Sequence, residues 1–186
     1  VRQAEDVMDV TQGKLSMGFS CESEDHMALL MGNTLFGGST NSKLFLNVRE
    51  KLSLCYYASS GIDRLKGVMF VSSGIEFDHF DAARDEILAQ LAAMARGEIT
   101  DEELESAKMG VASDLRAMMD SQGELEGFYL SQVLDGLEYG PLELAELVSD
   151  VTREQVAAVA ANAECDLIYF LKGDGASDEE EDDAED

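Results

Sequence analysis

Basic residues are scarce: 13 Lys and Arg stand against 39 Asp and Glu, a formal net charge of −26. Nucleic acid is therefore not an expected partner, because phosphate binding rests on clustered Lys and Arg. No apolar run approaches the roughly 18 residues of a spanning helix, so no membrane partner is expected either. Cysteine is limited to Cys21, Cys55 and Cys165, an odd number without CxxC spacing. That excludes a disulfide framework and a cysteine zinc site, and it suits a reducing cytoplasm, the expected location. Histidine is limited to His26 and His79, which lie in neither HxxEH nor HExxH. Both read as ordinary helix residues, and the chain is expected to hold no metal or other cofactor of its own. Gly37-Gly38-Ser39-Thr40 is too short for a phosphate loop and runs into Asn41. No basic-then-apolar leader follows Val1, so the chain is expected to be a piece of something longer or a processed product.

What is present suffices for a core: 45% of the residues are hydrophobic. From Asp178 to Asp186 all but Ala184 are acidic, and these eight carboxylates repel one another with nothing to bury. Residues 173–186 are expected to form a disordered tail after a single domain at 1–172. Without those eight carboxylates the rest of the chain still carries a net charge of −18, which favours solubility or tolerance of salt. A basic partner for the tail is the alternative, whereas a calcium loop would need alternating, glycine-interrupted ligands.

Hydrophobic periodicity supplies the elements. Residues 14–20 alternate Leu15, Met17 and Phe19 with small or polar neighbours, a half-buried strand. A helix is expected over 24–36, stopped by Gly37 and Gly38, and a second over 41–52 with Leu44, Phe45, Val48 and Leu52 on one face. Residues 56–62 and 67–76 read as a hairpin. A helix over 77–94 shows Phe77, Phe80, Ala83, Ile87, Leu91 and Met94, closed by Gly97. Thr100-x-x-Glu103 and Thr152-x-x-Gln155 are capping boxes opening two more helices. The first should break at Gly123, followed by helices over 125–137 and from Pro141 to about Ser149. Residues 166–172 are apolar on both faces, which places them inside a sheet. Strands clustered apart from helices predict an α+β fold, a mostly antiparallel sheet covered by helices on one face.

One constellation rises above this background. Leu35-Phe36-Gly37-Gly38-Ser39-Thr40-Asn41-Ser42-Lys43-Leu44-Phe45 leads into Asn47-Val48-Arg49-Glu50-Lys51-Leu52 and then Ser53-Leu54-Cys55-Tyr56-Tyr57-Ala58-Ser59-Ser60. The run resembles the C-terminal, non-zinc half of the insulinase/pitrilysin-type inverzincin metallopeptidases, a mitochondrial-processing-peptidase-like group. The later part is similar to bacterial non-peptidase homologues within it. Thr100 to Lys108 and the closing strand fall where that half has them.

The resemblance implies a hydrolase-family domain that is inactive alone. Zinc would be bound through HxxEH in a homologous metal-binding half or a sister subunit, and an unfolded peptide would be enclosed between the two. No catalytic and no metal-ligating residue falls in this chain. Arg49 and Tyr56 match the pair that contacts substrate near the metal. A guanidinium and a phenol are both donors, suited to orienting a scissile carbonyl. Ser53 stands where the family usually has glycine, which implies a less strained or differently shaped turn. A free strand edge is also expected, at 11–20 or 67–76. The rival is a non-catalytic scaffold of the same fold, with Arg49 and Tyr56 structural and partners met through helix faces. Without the family, Arg49 would read as a solvated charge complementing the helix dipole, and Tyr56 as core or rim.

Overall fold

The computed structural model describes residues 1–173. Five strands, β1 (Arg2–Met8), β2 (Gly13–Ser20), β3 (Cys55–Asp63), β4 (Val68–Ile75) and β5 (Glu164–Gly173), form one sheet in the order β1-β5-β2-β4-β3. Every neighbouring pair is antiparallel except β1 with β5, which run parallel. The helices are α1 (His26–Asn33), α2 (Phe80–Ala95), α3 (Asp101–Met118), α4 (Gln122–Leu134), α5 (Pro141–Ser149) and α6 (Arg153–Asn162). Between α1 and β3 the chain makes two wide, π-type helical segments, Thr34–Gly38 and Leu44–Lys51. The expected α+β architecture is the one observed.

One sheet face is covered. In β2, Leu15, Met17 and Phe19 are buried while Lys14, Ser16, Gly18 and Ser20 are only half-buried, the outcome of a two-residue period over one core. β4 adds Met69, Val71 and Ile75 to that face, and β5 adds Ile168 and Phe170. Phe36 meets Phe19 edge-on at 6.5 Å, and Phe80 stacks on Phe170 at 4.5 Å, locking helical segments onto strands. Both capping boxes form. The Glu103 backbone N–H donates to Thr100 Oγ1 at 3.1 Å, and the Thr100 N–H donates back to Glu103 Oε2 at 2.7 Å. Thr152 and Gln155 repeat the exchange at 3.3 and 2.9 Å, and Gln155 Nε2 also donates to Asp25 at the start of α1.

Several expectations are corrected. β1 has no counterpart among the expected strands, because all seven of its residues are exposed and RQAEDVM carries no apolar alternation. The free edges are β1 and β3; β2 and β4, the segments expected at an edge, are interior. Alternation reports which face is buried and is silent on lateral neighbours. α1 widens at Thr34 so that Gly37 lies within a helical segment rather than ending one. Phe77 begins a short 3-10 turn, Phe77–His79, and stays exposed. α3 ends at Met118, ahead of Gly123, which sits instead in the first turn of α4. β5 is interior as expected and extends through Gly173, paired with Met8. The acidic run beyond it lies outside the described residues. Among the described residues, no helix is long and apolar enough to cross a membrane.

Candidate functional site

Three backbone irregularities shape the corner that carries Arg49 and Tyr56. The first is the π-type segment Leu44–Lys51, whose bonds reach one residue further than an α-helix: Leu52 N–H donates to the Asn47 carbonyl at 3.2 Å. Leu44 and Val48 anchor it in the core, while Leu52 is exposed, against the expectation from helical spacing. The second is Ser53, the described non-glycine residue with a positive φ, 52°. The turn is thus left-handed with a serine in place of glycine, so it is not the less strained corner, one of the two expectations. A left-handed conformation costs an L-residue about 1–2 kcal/mol. The turn is held by Ser53 N–H to the Arg49 carbonyl at 3.1 Å and Leu54 N–H to the Val48 carbonyl at 3.0 Å.

The third irregularity is in β3. Cys55 pairs with Ile75 and Tyr57 with Gly74, so Tyr56 is the extra residue of a β-bulge. In an unbroken strand Tyr56 would share the inward face of buried Ala58; the bulge turns it out, 53% exposed. Neither the core nor the rim reading of Tyr56 anticipates this. A further close approach supports the corner from below. A Cβ on Gly37 would lie 2.6 Å from the Ser60 backbone nitrogen, so Thr34–Gly38 packs directly on the β3 backbone only because residue 37 is glycine.

Arg49 and Tyr56 line one shallow concavity of about 390 Å³, together with Glu50, Ser53, Leu54, Cys55, Glu76 and His79. The Arg49 guanidinium carbon lies 4.6 Å from the centre of the Phe45 ring, one helical turn back. Its contact with Glu50 is 3.3 Å, and both side chains are substantially exposed, at 39% and 54%. An exposed pair of that kind contributes little energy, so the guanidinium is braced by the ring and remains available as a donor. Its charge is felt at the floor: burial pushes the Cys55 thiol up, while a hydrogen bond with Ser73 and the Arg49 charge pull the other way.

Sequence reasoning missed two lining residues, Glu76 and His79. Nδ1 of His79 is buried without a hydrogen-bond partner. No spacing signal links position 79 to positions 49 and 56, because the sheet brings the end of β4 beside the start of β3. His26 lies apart, in α1. Among the described residues no three His, Cys, Asp or Glu side chains are grouped to hold a metal, so the donor set does not fit zinc. The arrangement offers instead a permanent cation and a phenol on one surface, which suits holding a carbonyl or carboxylate.

Comparison with known proteins identifies the family of the chain. The family profile described as "Peptidase M16 inactive domain" matches residues 2–111. The probable inactive metalloprotease YmfF of Bacillus subtilis is 36% identical over 177 residues, covering 92% of this chain and 42% of YmfF. A crystal structure of a conserved protein from Enterococcus faecalis V583 superposes with a TM-score of 0.86 at 30% identity, over 93% of this chain and 42% of that one. The peptidase M16 inactive domain from Pseudomonas fluorescens gives 0.70 at 20% identity, over 92% and 43%, and speaks to the fold alone. The chain spans less than half the length of each of these relatives. By the extent of these matches, the chain belongs to the peptidase M16 inactive-domain family.

Proposed function

We propose that this inactive domain of a zinc-protease-like protein is the substrate-contacting lobe of a peptide cleft. The HxxEH zinc site of that cleft belongs to a homologous half or a sister subunit. Arg49 and Tyr56 contact the backbone of an unfolded peptide, the guanidinium as a charged donor and the phenol as a neutral one. Where the metal half is active, the two donors orient the scissile carbonyl and stabilise the negative charge that develops on its oxygen. A single donor of this kind contributes roughly 2.7–4 kcal/mol to a transition state. Where the metal half is also inactive, as the name of the Bacillus relative suggests for that protein, the same pair makes a peptide-binding surface. Closure of two lobes gates access in either case.

The observation that carries this reading is the bulge at Tyr56, which directs a phenol out of the core and into the concavity occupied by Arg49. The scaffold alternative gives no reason for that irregularity. The test is the assembly of this chain with its metal-binding half, assayed for binding and turnover of an unfolded peptide. Arg49→Ala and Tyr56→Phe should each lower peptide affinity or turnover without shifting the unfolding midpoint. Unaltered peptide handling in both variants assigns the two residues a structural role.

A further inference from the structure

We infer that the groove between α4 and the surface of α1 and α3 is a second binding site, for an apolar peptide segment bearing a cationic side chain. The groove encloses about 1360 Å³, above the roughly 300–1,000 Å³ of small-molecule pockets. Its walls include Leu30, Leu35, Val111, Phe128, Leu130 and Leu134. Leu130 and Leu134 are exposed, as are Tyr129 and Val133 beside them, and Gln132 is the buried residue of α4. An apolar helix face left this open marks an interaction surface.

Two observations identify the ligand chemistry. Gln132 is only 4% exposed and lines the groove, yet its Oε1 meets no donor. An orphaned amide in an apolar wall costs free energy until a partner reaches it, and the matching partner is a peptide main-chain amide. Charge supplies the second constraint. Among the described lining residues Arg64 is the one cation and it is paired with Asp135, while Glu103 on the wall is bound from outside the lining by Lys43 at 2.8 Å. Glu102 and Asp114 also line it and have no cationic partner among the described residues. A cationic side chain completes that pattern and an anionic one opposes it.

This site stands apart from the Arg49–Tyr56 concavity and does not depend on it. The two share no residue: one lies at the Cys55 end of β3 and the other at the end formed by Ile62 and Asp63. The experiment is fluorescence anisotropy of the full chain with a labelled synthetic peptide of Leu, Ala and Lys, and with its counterpart carrying Glu in place of Lys. The Lys peptide should bind saturably, and the Glu peptide at least about tenfold more weakly. Gln132→Leu and Asp114→Asn should each weaken the Lys peptide by about threefold to tenfold. Asp150→Asn, an exposed charge outside the groove, should leave it unchanged. Asp114 is exposed, so that variant decides the matter if Gln132→Leu perturbs folding. Equal loss with Asp114→Asn and Asp150→Asn would reduce the effect to overall charge and overturn the site. Non-saturating binding, or a concentration-dependent dimer that shields Leu130 and Leu134, would overturn it as well.

Discussion

The helices α3, α5 and α6 and the corner from Thr34 to Tyr56 are built on opposite terms. In the helical part each signal is local and regular. Thr100 and Thr152 cap, Glu103 and Gln155 reciprocate, and Pro141 occupies the first turn of α5. In the corner the backbone departs from regularity four times, through two π-type segments, a left-handed serine and a bulge. Regular segments are specified by local signals, while irregular ones, anchored in the core by Phe36, Leu44 and Val48, decide where two polar side chains point. Irregularity of this sort costs free energy and persists where surrounding packing over-determines it.

That contrast can be broken experimentally, beginning with the largest effect. Gly37→Ala forces a methyl against the Ser60 backbone, where no flexible side chain can yield. It should destabilise the fold by about 1–3 kcal/mol in denaturant unfolding; a neutral result would show that the segment sits loosely on β3. At the other pole, Thr100→Ala removes the cap of α3 and should cost about 1 kcal/mol, measured in the same way. A cost as large as that of Gly37→Ala would erase the distinction between the two regions.

The two regions meet where Lys43 donates to Glu103. Burial pushes the Glu103 carboxyl up, but the Lys43 hydrogen bond and charge, with the Thr100 backbone N–H, outweigh it and hold the group below its ordinary value. The sign follows: a lowered carboxyl contributes stability above the ordinary glutamate range, and that share is lost as pH falls through the lowered value. Glu103→Gln should therefore flatten the acid side of the stability profile relative to the parent. A variant profile parallel to the parent's would remove Glu103 from the account.

The smallest effect is at Ser53. Glycine would relieve about 1–2 kcal/mol of left-handed strain and add about 0.5–1 kcal/mol of backbone entropy cost. Ser53→Gly should stabilise by about 0.5 kcal/mol, visible as a small rise in the unfolding midpoint. A loss of stability would mean that the serine side chain contributes to the turn beyond its backbone angle.

The same contrast explains what the sequence discloses. Capping boxes, the alternation of β2 and the 55–75 hairpin are local patterns, so a short stretch of residues suffices to read each of them. Arg49 and Tyr56 are marked by a family resemblance, but the bulge that exposes Tyr56 arises from its register with Ile75 and Gly74, about twenty residues away along the chain. β1 escapes for a related reason: its place is set by parallel pairing with β5 at the far end of the sequence, and its own residues bury nothing. His79 reaches the concavity only through the sheet. Long-range pairing, which no short window of residues contains, fixes all three.

A double-substitution cycle on Arg49 and Tyr56 tests the central claim most directly, read as peptide affinity of the assembled cleft. If both side chains grip one peptide backbone, Arg49→Ala and Tyr56→Phe should each weaken binding and should couple by about 0.5 kcal/mol or more. Full additivity within about 0.3 kcal/mol, or affinity indifferent to either change, would contradict a shared site.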